Sequence, residues 1–371
     1  MRVIEIGHIV AGPTAGLLLA DLGFEVIKVE RPGYGDISRT LTGTSSGAYP
    51  FYNRNKKSIT IDLKKKEGVG LLKNMIKHTD VLIDNLGYGA LYSLGLDYEK
   101  MSELNNGLIY LSIRGYGEGP YEKRKSLDFP IEVHSGLAYM TGTRDRPMRV
   151  GASIVDMSAA MFGVIAVLNA IIEREKTGKG KKITIGMFET AEFFMGQHIA
   201  SHQLIGRDLK PLNEEGFAWG IYDFFNTLDE KKIFIAVTTD DQWKKFCGIF
   251  SLNADEFPTN AIRYSNRDKL IPKISELISR ISLEEITKLL DRENISYAIL
   301  NKPWDLLNDL HAQNKMVEVK YSGKNLKVPI SPLGNIQLSD PPQLGENTEE
   351  ILKTLGYSLQ EIERFKKEHI I

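Results

Sequence analysis

The chain has 371 residues, 42% of them hydrophobic and 26% charged, with 47 Lys+Arg against 48 Asp+Glu. That length suggests two domains and buries enough surface to fold without staples, and the balanced charge argues against a dedicated nucleic-acid binder. A single cysteine, Cys247, excludes an intrachain disulfide framework and any CxxC or Cys/His zinc pattern.

The opening residues, MRVIEIGHIV, lack the charged start, long apolar run and small-residue cleavage site of a signal peptide. The longest apolar stretch, Ala159–Ile172, has 14 residues. It is too short to span a bilayer and reads as a buried helix. A soluble, cytoplasmic protein with no membrane partner is expected.

Arg2–Ile6 reads as a strand, punctuated by Gly7 and Gly12-Pro13 before a helical Ala15–Leu22. Glu25–Glu30 is the next strand, ended by Pro32-Gly33. Ser58–Leu63 alternates as a strand, Glu67–Lys77 is an amphipathic helix and Val81–Asp84 a short buried strand. Tyr98–Leu104 follows as a helix and Leu108–Ile113 as a strand. This rhythm predicts an α/β fold with a mostly parallel sheet covered by helices. Ligands of such sheets bind beyond the carboxyl ends of the strands. Here those ends carry the glycine-bearing loops 7–12, 31–35, 85–89 and 114–119.

Met157–Lys176 is the clearest helix, with Asp156 at the N-cap position and Thr177-Gly178 as its stop. Ile183–Met187 then reads as a strand and Glu189–Leu204 as a helix. After Gly206 the texture changes. Residues 216–226 are aromatic and turn-rich, Lys232–Val237 is a strand, and Asp240–Phe250, Arg267–Ser279 and Leu283–Glu293 are helices. Asn325–Ile336 holds short strands and Thr348–Phe365 a final helix. The reading gives a large domain over 1–205, a small α+β domain over 206–320 and a C-terminal return over 321–371.

Several residues could carry chemistry. Strand, glycine loop, helix and the acid Glu30 suggest a dinucleotide fold, but Gly7, Gly12 and Gly16 do not fit G-x-G-x-x-G and Pro13 interrupts the turn. Arg31 beside Glu30 suits a phosphate equally well. Asp156 follows Gly151-Ala152-Ser153. It serves either as a plain N-cap or, ionised at a helix N-terminus, as a nucleophile toward an activated carbonyl. Lys123-Arg124-Lys125 is either a solvated charge run or a phosphate grip. Lys179–Lys182 follows a helix and reads as a basic C-terminus rather than a P-loop. His198 and His202 have metal-ligand spacing without a third ligand, and His134 beside Ser135 lacks a readable orienting partner. No metal site is expected.

Together these segments resemble the class III coenzyme A transferases, the group of formyl-CoA transferase, carnitine CoA-transferase and α-methylacyl-CoA racemase. The resemblance rests on HIVAGPTAGLLLADLGFEVIKVERPGYGD, NKKSITIDLKKKEG, VLIDNLGYGAL, the run from VGASIVDMSAAM to KKITIGMFE, and PPQLGENTEEIL with LGYS. It implies a Rossmann-like large domain, a small domain and a returning C-terminus, two chains interlocked as a homodimer, and an active site between the large domain and the partner's small domain. It implies that Asp156 is the covalent nucleophile in moving coenzyme A between an acyl-CoA and a carboxylic acid. CoA would be a substrate, with no permanently bound cofactor. The family's CoA contacts fall on His8, Val10, Ala11, Arg31, Asn85 and Leu86, and Lys125 lies within a residue of a further basic contact. The racemases of the group resemble H-D-I-N-Y before S-G, and here Leu127-Asp128-Phe129-Pro130-Ile131 takes that place. Leucine cannot move a proton, so the resemblance favours transferase over racemase and leaves a nicotinamide oxidoreductase behind both. The consecutive glycines of formyl-CoA transferase are missing, with 216–220 as a partial substitute, and Ser93 stands where that enzyme has an arginine for CoA.

Overall fold

The computed structural model describes residues 1–216, 218–333 and 338–371. Phe217, in the expected glycine cover, and 334–336, in the expected strand region, lie outside the described residues. The chain forms two compact units, one of Met1–Pro211 with Lys315–Ile371 and one of Leu212–Asn314. The sequence reading drew these lines at 205/206 and 320/321.

In chain order the larger unit contains β1 (Arg2–Ile6), α1 (Ala11–Asp21), β2 (Glu25–Glu30), α2 (Ala48–Tyr52), β3 (Lys56–Thr60), α3 (Lys66–Ile76), β4 (Val81–Asp84), α4 (Ala90–Ser93), α5 (Tyr98–Leu104), β5 (Ile109–Arg114), α6 (Asp128–Ser135), α7 (Leu137–Thr141), α8 (Ile154–Thr177), β6 (Lys182–Gly186) and α9 (Met187–Ile205). The smaller unit follows with α10 (Leu212–Glu215), β7 (Ile221–Asn226), β8 (Lys232–Val237), α11 (Asp240–Phe250), α12 (Asn260–Ser265), α13 (Arg267–Ile278), α14 (Leu283–Arg292), β9 (Ser296–Ile299) and α15 (Leu310–Gln313). The chain then returns to the larger unit with β10 (Met316–Tyr321), β11 (Lys324–Pro329), α16 (Thr348–Thr354) and α17 (Leu359–Lys367).

Six parallel strands in the order β3-β2-β1-β4-β5-β6 form the large sheet. Continuous apolar runs such as Val81-Leu82-Ile83 are buried on both faces, as a sheet between two helical layers demands. α1 and α8 cover one face over Val3, Val26, Ile83 and Leu111. α3, α5, α16 and α17 cover the other over Ile4, Ile27, Leu82 and Tyr110.

Three of the differences from the sequence reading have a clear local reason. α1 begins at Ala11 and takes Pro13 into its first turn, where a missing N–H breaks no helical bond. α8 begins at Ile154 with Ser153 as N-cap, which puts Asp156 at the third helical position rather than at the cap. The expected final helix is two, parted at Gly356 (φ +91°) and restarted by a capping box of Ser358 and Glu361.

Among the described residues α8 is the one helix long and apolar enough to cross a membrane, and half of its apolar stretch is buried in the unit. The expected buried helix is therefore buried on one side only, with Met161, Phe162, Ile165, Leu168 and Ile172 exposed. In the smaller unit β7, β8 and β9 form an antiparallel sheet, and α11, α13 and α14 close a core around Trp243, Phe246, Ile274 and Ile286. Cys247 lies in that core, where burial pushes its thiol up to about 11.

Candidate active site

The strand order reverses between β1 and β4, the switch point at which doubly wound sheets take ligands. A cleft of about 1250 Å³ opens there, within the larger unit. Its walls are residues 8–11 after β1, 85–88 after β4, Arg114 and Gly115 at the end of β5, the stretch 122–130, and 151–153 leading to Asp156.

The two loops at the switch point are clamped to each other. Asn85 Oδ1 accepts the His8 amide at 2.9 Å and Asn85 Nδ2 donates to the His8 carbonyl at 3.1 Å. A Cβ at Gly12 would lie 2.9 Å from Asn85 Oδ1, so glycine is what lets α1 start this close to β4. Ile9 sits at φ +67°, a costly angle for a β-branched residue. Its amide is held by both Asp36 carboxylate oxygens at 3.2 and 3.3 Å. Asp36 is fixed in turn by fully buried Lys28, 2.9 Å away, which also binds Glu5 at 2.7 Å. Burial works against the Asp36 charge, but Lys28 and the Ser38 bonds hold it down at about 2. Burial, partly offset by Asp36, keeps His8 below its ordinary value and therefore neutral at pH 7.

Asp156 reaches the cleft from the first turn of α8, half-buried. The capping work assigned to it is done by a residue 28 positions earlier. Asp128 Oδ1 accepts the amides of Val155 and Asp156 at 3.0 and 3.1 Å. Asp128 Oδ2 accepts Arg149 Nε and Nη2 at 3.2 and 2.9 Å, and Arg149 Nη2 also donates to Ser153 Oγ at 3.0 Å. Among the described residues no donor is bound to the Asp156 carboxylate, so its lone pairs are free. Burial first, and the Asp128 charge second, push its pKa up to about 7 against the pull of Arg149. Tyr52 lines the same cleft, and burial together with the Asp156 and Asp128 charges keeps its phenol protonated.

His8, Val10, Ala11, Asn85, Leu86, Lys125 and Asp156 therefore share one cleft. Arg31 does not line it and lies exposed, its guanidinium 4.4 Å from the Tyr34 ring centre. Lys123 and Arg124 join Lys125 on the wall. Glu30 is turned inward to Arg39, Ser58 Oγ and the Asp36 amide, so it is not presented to a ribose. His134 stands in an aromatic group with Tyr116, Tyr121 and Phe188, its Nδ1 bonded to the Tyr116 hydroxyl at 3.0 Å. His202 pairs its Nδ1 with the Arg207 carbonyl. Gly216 and Gly220 belong to the smaller unit. Sequence reasoning missed Asp128 as a cap, and missed Glu132, Arg149 and Tyr52 altogether. An i,i+4 pair of acids opening a helix was the available signal.

A parallel sheet whose switch-point cleft is lined by a free carboxylate and a cationic wall has the layout of an α/β enzyme site. Residues 1–348 match the family model of CoA-transferase family III. Succinyl-CoA:glutarate CoA-transferase of Homo sapiens is 33% identical over 374 residues, covering 95% of this chain and 84% of the human one. Formyl-CoA:oxalate CoA-transferase of Bradyrhizobium diazoefficiens is 30% identical over 404 residues, covering 96% and 93%. The solved structure of a CAIB/BAIF family protein from Brucella suis superposes with a TM-score of 0.84 at 28% identity, covering 96% of this chain and 98% of that one. The chain belongs to CoA-transferase family III, and its activity is that of a CoA-transferase.

Proposed function

We propose that Asp156 is the covalent nucleophile of that transfer. The observation that carries this is an unpartnered, half-buried carboxylate lining the cleft, whose helix is capped by Asp128 so that Asp156 is spared the task. One Asp156 oxygen attacks the thioester carbonyl carbon, the C–S bond breaks, and CoA leaves as thiolate from an acyl–aspartyl anhydride. The thiolate attacks the aspartyl carbonyl, releasing the donor acid and leaving an aspartyl–CoA thioester. The acceptor carboxylate repeats the two exchanges in reverse, and Asp156 ends as it began. Each intermediate hydrolyses if water enters, so occupancy of the cleft by CoA is itself protective.

CoA lies along residues 8–11 and 85–86, where the uncapped N-terminus of α1 presents free amides to a phosphate. Lys125 adds charge on the facing wall, with Lys123 and Arg124 beside it, and Arg31 meets the parts of CoA that extend beyond the cleft. The named acceptors of the relatives above, glutarate and oxalate, are both dicarboxylates, which supports a short dicarboxylate here. Leu127, 68% exposed on the cleft wall, offers no proton for racemisation. The outer stripe of α8 continues onto Phe193 of α9 through the Phe162–Phe193 ring contact, and it supports a homodimer.

Incubation with an acyl-CoA followed by hydroxylamine tests the nucleophile. The expected result is a hydroxamate at Asp156 by peptide mass spectrometry, and loss of at least 10³-fold in kcat for Asp156→Ala, in line with removal of a covalent nucleophile. Full turnover in that variant would sink the proposal.

A further inference from the structure

Glu132 takes no part in the chemistry above, yet it is wholly enclosed beside the cleft. It stands one turn after Asp128 on α6 and is 0% exposed. Its Oε2 accepts the Val150 amide at 2.9 Å. Its Oε1 is buried and receives no donor. Arg149 Nε lies 3.8 Å away but bonds Asp128 instead. Asp128, Glu132 and Asp156 thus share one guanidinium among three carboxyl groups.

A buried carboxylate oxygen with no donor is expensive. The same oxygen with a proton is itself a donor, and the acceptor beside it is Asp128. Crowded like charges retain one proton between them. Resting on the nucleophilic reading of Asp156, we propose that Glu132 is a positioning residue that keeps a proton and donates it to Asp128, so that Asp128 stays bound to Arg149 and to the α8 amides while Asp156 alone changes charge during the cycle. Burial, with Asp128 beside it, pushes Glu132 up to about 7, in keeping with this.

The groups facing the pair are few. On α6 itself there is Asp128, on the preceding loop of α8 there is Arg149, and on α2 there is Tyr52. α7 brings only Tyr139, bonded to the Leu209 carbonyl. On α9, Glu189 is taken up by the Gly117 amide, Glu192 is exposed and His202 is bonded to Arg207.

The test is the pH dependence of kcat/KM for Glu132→Gln, which keeps a donor and cannot ionise. Its acid limb, set by Asp156, should overlay the parent's, because one neutral donor replaces another and Asp156 still titrates beside the same Asp128 charge, with kcat at pH 8 within about twofold of the parent. Glu132→Ala, which frees Asp128 and Arg149 to shift, should lose about tenfold or more in kcat while Glu132→Gln does not. A Gln variant that is inactive, or whose acid limb moves by about one pH unit as it would if Glu132 ionised alongside Asp156, would overturn the proposal, and the Gln limb decides alone if the Ala variant does not fold. Hydroxylamine trapping in the parent separates the two readings. Without a parent adduct the nucleophile assignment fails, whereas an adduct with a shifted limb in the Gln variant defeats only the role of Glu132.

Discussion

Asp156 combines two properties that usually exclude each other, freedom from hydrogen bonds and retention inside the protein. The cost falls on its charge. Its folded pKa of about 7 exceeds the ordinary value of 3.8 because burial and Asp128 oppose ionisation. The folded chain therefore holds this proton more tightly than the unfolded chain, and the resulting stability is fully present below pH 3.8 and lost as pH rises through 7. Above pH 7 the folded state carries an ionised, poorly solvated carboxylate. Asp156→Asn removes that burden. Its thermal midpoint should exceed the parent's at pH 8 by the equivalent of about 1 kcal/mol after allowance for solvent screening, and the advantage should vanish toward pH 4. Melting curves at both pH values check this, and equal differences at the two would contradict it.

Between elements, the decisive tie runs from α6 to α8. α8 has no side-chain cap of its own at Ser153, and Asp128 supplies the acceptor from the neighbouring helix. Asp128→Ala should remove the cap from two amides and leave Arg149 without its main partner. The expected loss is about 2–3 kcal/mol of unfolding free energy, measured by urea titration. Asp128→Asn should lose less, because its side-chain oxygen still accepts. This tie also marks where the sequence stops being readable. β1, β2, β4 and β5 were legible because buried parallel strands are short apolar runs between glycine loops. β3 starts two residues and ends three residues before the expected strand, because Lys56, a poor strand candidate on composition, is buried against Glu5 at 2.6 Å. Asp156 was legible as an acid at a helix start, and the family resemblance named its role. The environment that sets its pKa was not, since Asp128, which raises it, and Arg149, which pulls it down, lie 28 and 7 residues before it and meet it only when α6 packs on α8.

On the scale of the whole chain, the two-domain plan was visible in the change of texture after Gly206, but the crossing points were not. The return at Lys315 is a hairpin of partly exposed strands, β10 and β11, with no composition shift to announce it. The apolar run of α8 was visible too, though composition alone could not say that one side stays open. Met161, Ile165, Leu168 and Ile172 recur at the 4-3-4 spacing of a helix seam. Ile165 and Phe193 are 63% and 72% exposed, and a contiguous apolar face of this kind is where a partner would dock. If a second copy covers this face, a charge at its centre must be buried without a partner, at a cost of several kcal/mol. Ile165→Asp, facing away from the cleft, should then shift the mass measured by sedimentation from two chains toward one, by at least a hundredfold in dissociation constant, as about 3 kcal/mol implies. Melting of the isolated species should confirm that α8 still packs on the sheet. A parent that sediments as a single chain would remove the dimer from the proposal while leaving the chemistry of Asp156 untouched, because every residue argued to act on that carboxylate lies within one larger unit of one chain.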